Sequence, residues 1–173
     1  MDNGGAESSE VGQSVEKANM ADEPKNEICV YNSRYRHGVD EKRRVQIPSK
    51  WRPSKPGTEF TLIVWPKNKA GVCLRVLPPQ EMAKLMAELD AMPADKRGSL
   101  KRQIGSQSTQ VTLDSAGRIT IPQDLADSAN IKTEDEVVMV GLLDKFEIWN
   151  PKTHEAVKAA DEVLSAQAFE LME

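Results

Sequence analysis

Two short segments of the chain alternate apolar with polar residues in the same order. They span residues 39–48 and 113–122, and each runs apolar, Asp, three variable positions, Arg, apolar, polar, Ile, Pro. Alternation of period two is typical of a strand with one buried face. Each closing proline lacks an N–H group and therefore ends its strand. The chain thus contains an internal repeat, with an offset of 74 residues between the copies.

The segments after each copy repeat as well. One helical turn is predicted at 49–52 and another at 123–127, and two strands then follow in each case. These strands are predicted from apolar runs at 60–65, 72–77, 137–141 and 146–149. A tight turn is predicted at 114–117, since Asp114 can bond to downstream backbone and Gly117 can take a positive φ. The repeated order of strands and helices predicts an α+β class.

Three longer helices are predicted outside the repeated motif. The first follows Pro79 and carries a one-sided apolar face of Met82, Leu85, Met86, Leu89 and Met92. A shorter one spans 95–105, and the last begins with Asn150 as N-cap and Pro151 at its first position. The methionine-rich face could be a partner groove, but its ordinary amphipathic spacing favours packing against the sheets.

The repeat divides the chain into five parts. They are a disordered acidic tail at 1–27, a first module at 28–78, a helical connection at 79–107, a second module at 108–150 and a C-terminal helix at 151–173. Disorder is predicted for the tail because it has few large apolar groups to offset the entropy of ordering. A module of about 50 residues has difficulty burying a core alone. Pairing of modules, or assembly of chains into a ring, is therefore expected.

Charge is distributed unevenly along the chain. The net charge is −4 overall, but residues 1–27 account for −5 and the remainder carries +1. The sequence shows no apolar run long enough to span a bilayer and no secretory signal. Cys29 and Cys73 lie far apart and lack the spacing of metal ligands. A cytoplasmic protein with reduced thiols is therefore expected.

Basic residues cluster in and around the first copy of the motif. Between 34 and 55, eight Lys and Arg residues stand against Asp40 and Glu41, a net of +6. Such a cluster attracts the phosphate backbone, and a two-stranded ribbon can enter the major groove, where Arg binds guanine. The candidate residues for binding double-stranded DNA are Arg34, Arg36, Lys42, Arg43, Arg44, Lys50, Arg52 and, in the second copy, Arg118.

Plainer explanations stay open at this point. The basic segment could be a solvated face, and the repeated Asp-x-x-x-Arg could be a structural turn in which Arg pairs with Asp. In the second copy, Arg118 is outnumbered by three aspartates between 108 and 128. Electrostatics therefore favours the first copy as the main DNA-facing element and leaves the role of Arg118 open.

The second copy, Leu-Asp-Ser-Ala-Gly-Arg-Ile-Thr-Ile-Pro, together with Val140-Gly141 and Lys-Phe-Glu-Ile-Trp at 145–149, resembles the MraZ family. The resemblance covers residue 28 to the C-terminal helix and implies two AbrB-type (SpoVT-AbrB, swapped-hairpin) β-barrel modules. It also implies a nucleoid-associated bacterial transcriptional regulator of the division and cell-wall gene cluster. Members assemble into rings, for which an octamer-like ring is expected here, and bind repeated DNA boxes near the promoter. Their signature Arg is implicated in DNA binding, which transfers to Arg44 and Arg118.

The chain departs from the family pattern at three places. Arg43 stands where the signature has Gly, which removes a residue suited to positive φ and adds a charge. The acidic tail before Ile28 and the polar stretch 67–70 also differ from the family. The Arg43 change puts the shape of the first turn, and the DNA sequence it prefers, in question.

An enzyme is not expected. His37 and His154 are the only histidines, and neither stands in a catalytic or metal-binding pattern. His37 is assigned to the basic segment and His154 to the surface of the last helix. With no Gly-rich phosphate loop either, no cofactor, metal or small-molecule substrate is expected.

Two other functions are compatible with the sequence. One is an AbrB-type antitoxin that binds a toxin as well as its own promoter. Two modules in one chain speak against it, because such antitoxins usually carry one. The other is a structural ring that does not bind DNA.

Overall fold

The computed structural model describes residues 29–67 and 71–173. The predicted acidic tail at 1–27 and most of the polar stretch 67–70 lie outside these residues. The described chain has a mixed α+β fold, which confirms the predicted class. Its strands are β1 (Arg34–Gly38), β2 (Arg44–Gln46), β3 (Glu59–Lys67), β4 (Gly71–Leu77), β5 (Ser108–Thr112), β6 (Arg118–Thr120), β7 (Glu136–Gly141) and β8 (Phe146–Trp149). Its helices are α1 (Pro79–Asp90), α2 (Ala94–Ser106), α3 (Gln123–Ser128), α4 (Pro151–Asp161) and α5 (Ser165–Glu170), with 3-10 turns at Ser49–Trp51 and Glu162–Leu164.

The elements predicted from the apolar pattern are present. The four apolar runs form β3, β4, β7 and β8, and α1 and α2 occupy the two predicted central helices. At the start of α4, Asn150 accepts hydrogen bonds from the N–H groups of Lys152 (2.9 Å) and Thr153 (3.3 Å). The predicted N-cap is therefore confirmed. Within the described ranges, none of these helices has the length and apolar character needed to cross a bilayer.

Six strands form one antiparallel sheet in the order β1-β7-β8-β4-β3-β5. The copies of the repeat are interlocked in it: β1 of the first copy pairs with β7 of the second, and β5 of the second pairs with β3 of the first. At the centre β4 pairs with β8, and Arg75 lies opposite Glu147. If β1, β3 and β4 are exchanged with their counterparts β5, β7 and β8, the same strand order is obtained, read from the other edge of the sheet. The sheet therefore has a pseudo-two-fold axis at its centre.

The remaining strands, β2 and β6, pair with each other and form a separate two-stranded ribbon. The predicted β-barrel modules are not closed: in the part of the chain that the structure describes, an open sheet carries the ribbon on one side. The physical reason is that β1 and β5, the first strands of the two copies, are exchanged between the two halves of the sheet. Because β1 and β5 each extend the half of the sheet built by the other copy, the six strands lie side by side.

The ribbon side of the sheet holds the main core. Val45 and Ile119 of the ribbon are fully buried, as are Leu62 and Leu74 of the sheet. They belong to one cluster with Trp51. Alternate residues of each strand face this side, as the pleat of a strand requires. Since the cluster draws on both copies, the two halves of the repeat share one core.

The opposite side of the sheet is covered by α1 and α4. Cys73, Val138 and Trp149 form a smaller buried cluster there with Val157 of α4. His154 is only 7% exposed, with its ring centroid 6.5 Å from that of Trp149, so its predicted surface position is wrong. The reason is that α4 begins directly after β8, so that its first turn lies against the sheet.

The apolar face of α1 packs against the sheet only in part. Leu89 is buried, whereas Met86 is 54% exposed and Met92 is 39% exposed. α1 contacts β3, β4 and α2, and α2 contacts β5. The predicted packing therefore holds for one edge of the methionine-rich face and leaves the other edge at the surface.

Candidate nucleic-acid interface

The two copies of the repeated motif meet in the ribbon. Beyond its ladder, the N–H of Ile47 donates to the carbonyl of Gly117 at 3.0 Å. The N–H of Ile121 donates to the carbonyl of Arg43 at 2.9 Å. Ile47 and Ile121 occupy the same position of the repeat, and so do Arg43 and Gly117, so the two bonds are equivalent. The pseudo-two-fold axis of the sheet therefore passes through the ribbon as well.

The outer side of the ribbon is polar. Its buried residues point into the core, so their neighbours along each strand point away from the sheet. These neighbours are Arg44, Gln46, Arg118 and Thr120, all partly or fully exposed. Together with the turns at 40–43 and 114–117, they form a surface that we call the ribbon face. Both copies of the motif contribute to it equally.

One aspartate organises each turn of the ribbon face. Oδ1 of Asp40 accepts hydrogen bonds from the N–H groups of Lys42 (2.9 Å) and Arg44 (2.8 Å). The equivalent bonds to Asp114 are 2.9 Å each. The N–H of the signature arginine, reinforced by its guanidinium, holds the pKa of each aspartate below its usual range. The structural-turn explanation is therefore confirmed for both aspartates.

Each signature arginine is paired with its aspartate and still reaches the surface. Nε of Arg44 lies 2.6 Å from Oδ2 of Asp40, and Nε of Arg118 lies 2.9 Å from Oδ2 of Asp114. The arginine side chains are 29% and 31% exposed, respectively. An Nε contact engages one of the five N–H donors of a guanidinium. The aspartate can therefore position the arginine without using all of its donors.

Both turns place a left-handed residue at the same position. The φ angle is +59° at Arg43 and +78° at Gly117. The first turn therefore keeps the shape of the second although Arg replaces Gly there. A non-glycine residue in this conformation costs about 1–2 kcal/mol.

Two arginines from different positions in the repeat make equivalent contacts. Nε of Arg43 donates to the carbonyl of Ile121 at 3.0 Å, and Nε of Arg52 donates to the carbonyl of Ile47 at 2.9 Å. The two carbonyls are equivalent in the repeat. A Cβ at Gly117 would collide with the guanidinium of Arg52. Glycine is therefore favoured in the second turn, where Arg52 already fills the space that the side chain of Arg43 takes in the first.

We expect Gly117→Arg alone to lower the free energy of unfolding by about 2–3 kcal/mol, through collision with Arg52 and left-handed strain. In an Arg52→Ala background the same change should cost about 1 kcal/mol or less, because the new side chain can bind the carbonyl of Ile47. Urea unfolding followed by circular dichroism measures both values. Strictly additive effects would contradict the equivalence of the two arginine positions.

Positive charge is spread over both turns of the ribbon face. Lys42 and Arg43 belong to the first turn, while Arg52 and Lys55 line a groove beside Asp114 in the second. The chain leaves β2 next to the second turn because β2 and β6 are antiparallel. Basic residues of the first copy thus contribute to the second turn as well as to their own.

The other candidate residues are not part of the ribbon face as defined above. Arg34 and Arg36 are exposed on β1 and point to the opposite side of the sheet from the ribbon. Arg36 pairs with Glu136 at 3.5 Å. Burial, together with the charge of Arg34, lowers the pKa of His154 on α4. Lys50 is exposed on the first 3-10 turn. The basic segment 34–55 is thus divided between two sides of the molecule.

Two residues of the ribbon face were not among the sequence candidates. Gln46 and Thr120 stand between buried positions of the repeated motif, so alternation alone could have placed them on the outer side. Nε2 of Gln46 donates to the carbonyl of Ala116 in the other copy, at 2.8 Å. A choice of candidates by positive charge does not include such residues, although side-chain amides and hydroxyls also contact bases and phosphates.

The histidines add no charge to the ribbon face. Burial, with a smaller effect of Arg52, lowers the pKa of His37, which is therefore neutral at pH 7. Within residues 29–67 and 71–173, no three His, Cys, Asp or Glu side chains are grouped so as to hold a metal ion.

Comparisons with known proteins agree with one another. Residues 104–172 match the family model described as "MraZ protein, putative antitoxin-like". A protein of Halothermothrix orenii named "Transcriptional regulator MraZ" is 32% identical over 125 residues, which cover 71% of this chain and 82% of that protein. A protein of the same name from Clostridium tetani is 33% identical over 129 residues, covering 73% and 86%. Another, from Rickettsia akari, is 28% identical over 145 residues, covering 82% and 96%.

Proposed function

The chain belongs to the MraZ family, and we propose that it is a transcriptional regulator whose ribbon face enters the major groove of double-stranded DNA. The observation that carries this proposal is the paired ribbon, which presents Arg44 and Arg118 on one exposed polar surface around a pseudo-two-fold axis. A two-stranded ribbon fits the width of the major groove, about 12 Å. Duplex DNA has local two-fold symmetry of its own, which an approximately symmetric surface can match.

Arginine suits both kinds of contact that such a surface makes. Its guanidinium binds guanine edges with two hydrogen bonds and also pairs with phosphate. Because the aspartate of each turn holds Nε of the signature arginine, less side-chain entropy is lost when DNA binds. The proposed base contacts are Arg44 and Arg118, and the proposed phosphate contacts are Lys42, Arg43 and Arg52. Arg34 and Arg36 are left out of this contact set because they point to the opposite side of the sheet from the ribbon. Lys50 is left out because it lies on the 3-10 turn after β2 and not in the ribbon or its turns.

We assign residues 28–78 and 108–150 to two AbrB-type swapped-hairpin modules, with a helical connection at 79–107 and a C-terminal helix at 151–173. The exchange of β1 and β5 between the two halves of the sheet supports this assignment. The pairing of β2 with β6 supports it as well. The two modules then act as one unit with one ribbon face per chain.

We further propose that chains assemble into a closed, octamer-like ring on the nucleoid and bind repeated boxes near the promoter of the division and cell-wall gene cluster. Large apolar side chains outside the core, among them Leu164 and Phe169, are exposed in the single chain and support self-association. One ribbon face binds weakly by itself. A ring that holds several boxes at once gains affinity through effective concentration.

Titration with duplex DNA tests the proposal. The probe is the region upstream of the chain's own gene, and the control is a duplex of the same composition with a scrambled sequence. We expect tighter binding to the upstream duplex, with log affinity falling against log salt by about 0.9 per phosphate neutralised. No binding to either duplex at low salt would overturn the proposal and favour a structural ring. Equal affinity for both duplexes would overturn its sequence specificity.

A further inference from the structure

An apolar groove lies between α1 and α2. It is lined mainly by Met82, Met86, Leu89 and Ile104 and has a volume of about 200 Å³. Met86 is 54% exposed, and Met92, at the end of the same face, is 39% exposed. The lining of the groove is mostly apolar, and a concave apolar site of this kind can receive the side chains of a partner. The groove is thus a candidate for a protein contact.

A second apolar surface continues from α4 into α5. Val157, Leu164 and Leu171 are spaced seven residues apart and lie on α4, on the 3-10 turn that follows it and directly after α5, respectively. Val157 is 4% exposed on the sheet, whereas Leu164 is 55% and Leu171 is 89% exposed. Large apolar residues thus continue along the chain beyond the part of α4 that packs on the sheet. Every residue from 162 to 173 is exposed, so this segment does not occupy the groove of its own chain.

Helix α2, which forms one wall of the groove, and the segment 162–173 carry opposite net charge. The segment has three glutamates and no Lys, Arg or His. α2 has four basic residues and one aspartate. One of these bases, Lys101, lines the groove and pairs there with Asp90, which also lines it, at 2.7 Å, while the other three extend the positive charge along α2 beyond the groove. Opposite charges at the rim of an apolar contact orient the partner and exclude wrong registers.

We propose that the segment 162–173 of one chain docks in the α1–α2 groove of a second copy. This inference rests on the self-association part of the proposed function and names its contact. An amphipathic helix laid in an apolar groove is a common mode of recognition, with anchors on one helical face. Because the two surfaces differ, the contact is head to tail, and repeating it closes a ring when the rotation permits. The ribbon face takes no part in the contact and stays available for DNA.

Light scattering with size-exclusion chromatography of the full chain tests the contact. Met86→Glu places a charge in the groove, and Leu171→Glu places one on the segment. Leu143→Glu is the matched control, since Leu143 is 66% exposed but lies in the turn between β7 and β8. We expect both charged variants to run at the mass of one chain and the control to keep the multimeric mass of the unmodified protein. All three positions are at the surface, and circular dichroism checks that the variants are folded.

Mixing Met86→Glu with Leu171→Glu gives the sharper result. The first variant keeps an intact segment and the second an intact groove, so one good interface can form between them. We therefore expect a dimer and no larger species. Suppose that the unmodified protein is multimeric. Unchanged multimers in both variants, or a mixture that stays monomeric, would then overturn the proposed docking but not the ring. An unmodified protein that is itself monomeric would overturn the ring as well.

Discussion

Arg44→Ala is expected to weaken binding to the upstream duplex by about tenfold or more, since a bidentate arginine–guanine contact is worth about 1–3 kcal/mol. The loss is expected to grow in the ring, because each chain carries the change. The ion pair with Asp40 is partly exposed and contributes little to stability, so the variant should fold. Fluorescence anisotropy at fixed salt measures the affinity, and urea unfolding confirms that stability is kept.

The matched control is Arg34→Ala. It removes the same charge from an exposed side chain on the other side of the sheet. Its effect on affinity should stay within about twofold, since screening limits the reach of a surface charge to about 8–10 Å. Equal losses in Arg44→Ala and Arg34→Ala would mean that affinity follows net charge, and the ribbon face would then lose its assignment.

Arg118→Ala should match Arg44→Ala. From the sequence alone the role of Arg118 is open because its neighbours are acidic, but in the folded ribbon its Nε pairs with Asp114 as that of Arg44 pairs with Asp40. Nη1 of Arg118 also lies 4.0 Å from Oδ2 of Asp40. Arg52 also supplies the second turn with the charge that its own segment lacks. A loss confined to Arg44→Ala would show that DNA engages one turn and that the pseudo-symmetry has no part in binding.

Much of the fold follows from local patterns in the sequence. The alternation at 45–47 and 119–121 predicts two strands with buried Val45 and Ile119, and both are fully buried. The Asn150-Pro151 pair predicts the start of α4 because the N-cap chemistry is complete within four residues. These features depend on contacts between near neighbours in the chain, which is why a pattern is sufficient to find them.

The arrangement of the copies does not follow from local patterns. Pairing of β1 with β7 joins residues about a hundred positions apart, and the alternation within each strand is the same whichever partner it takes. The position of Arg52 at the second turn is a consequence of that pairing. So is the division of the basic segment, which sends Arg34 and Arg44 to different sides of the sheet. Of the residues selected by charge, the ribbon therefore brings Arg44 and Arg118 together, while β1 carries Arg34 and Arg36 to the other side of the sheet.

Trp51→Ala is expected to lower the free energy of unfolding by about 3–5 kcal/mol, a large part of the 5–15 kcal/mol typical of a domain. Trp51 is fully buried, and its ring lies 5.1 Å from Tyr35 and 4.8 Å from Phe146. Its Nε1 donates to the carbonyl of Asn32 at 3.2 Å. The substitution therefore removes aromatic packing and leaves a cavity where the two copies of the repeat meet.

Trp65→Ala is the matched control. Trp65 is 36% exposed, and its ring is covered by the guanidinium of Arg75 at 4.0 Å. Its loss should cost about 1 kcal/mol or less, as for an exposed cation–π contact. Urea unfolding followed by circular dichroism compares the two variants. A Trp51→Ala protein no less stable than Trp65→Ala would contradict the shared core.

The same experiment distinguishes one folding unit from two. Trp51 belongs to the first copy and Phe146 to the second, so a defect at Trp51 should destabilise both halves together. We expect a single cooperative transition in the unmodified protein and in Trp51→Ala, shifted to lower urea at the same slope. Two separate transitions, with only one of them moved by Trp51→Ala, would mean that the copies fold independently. The ribbon could then not depend on a core common to both, and the fixed geometry of Arg44 and Arg118 would need another source.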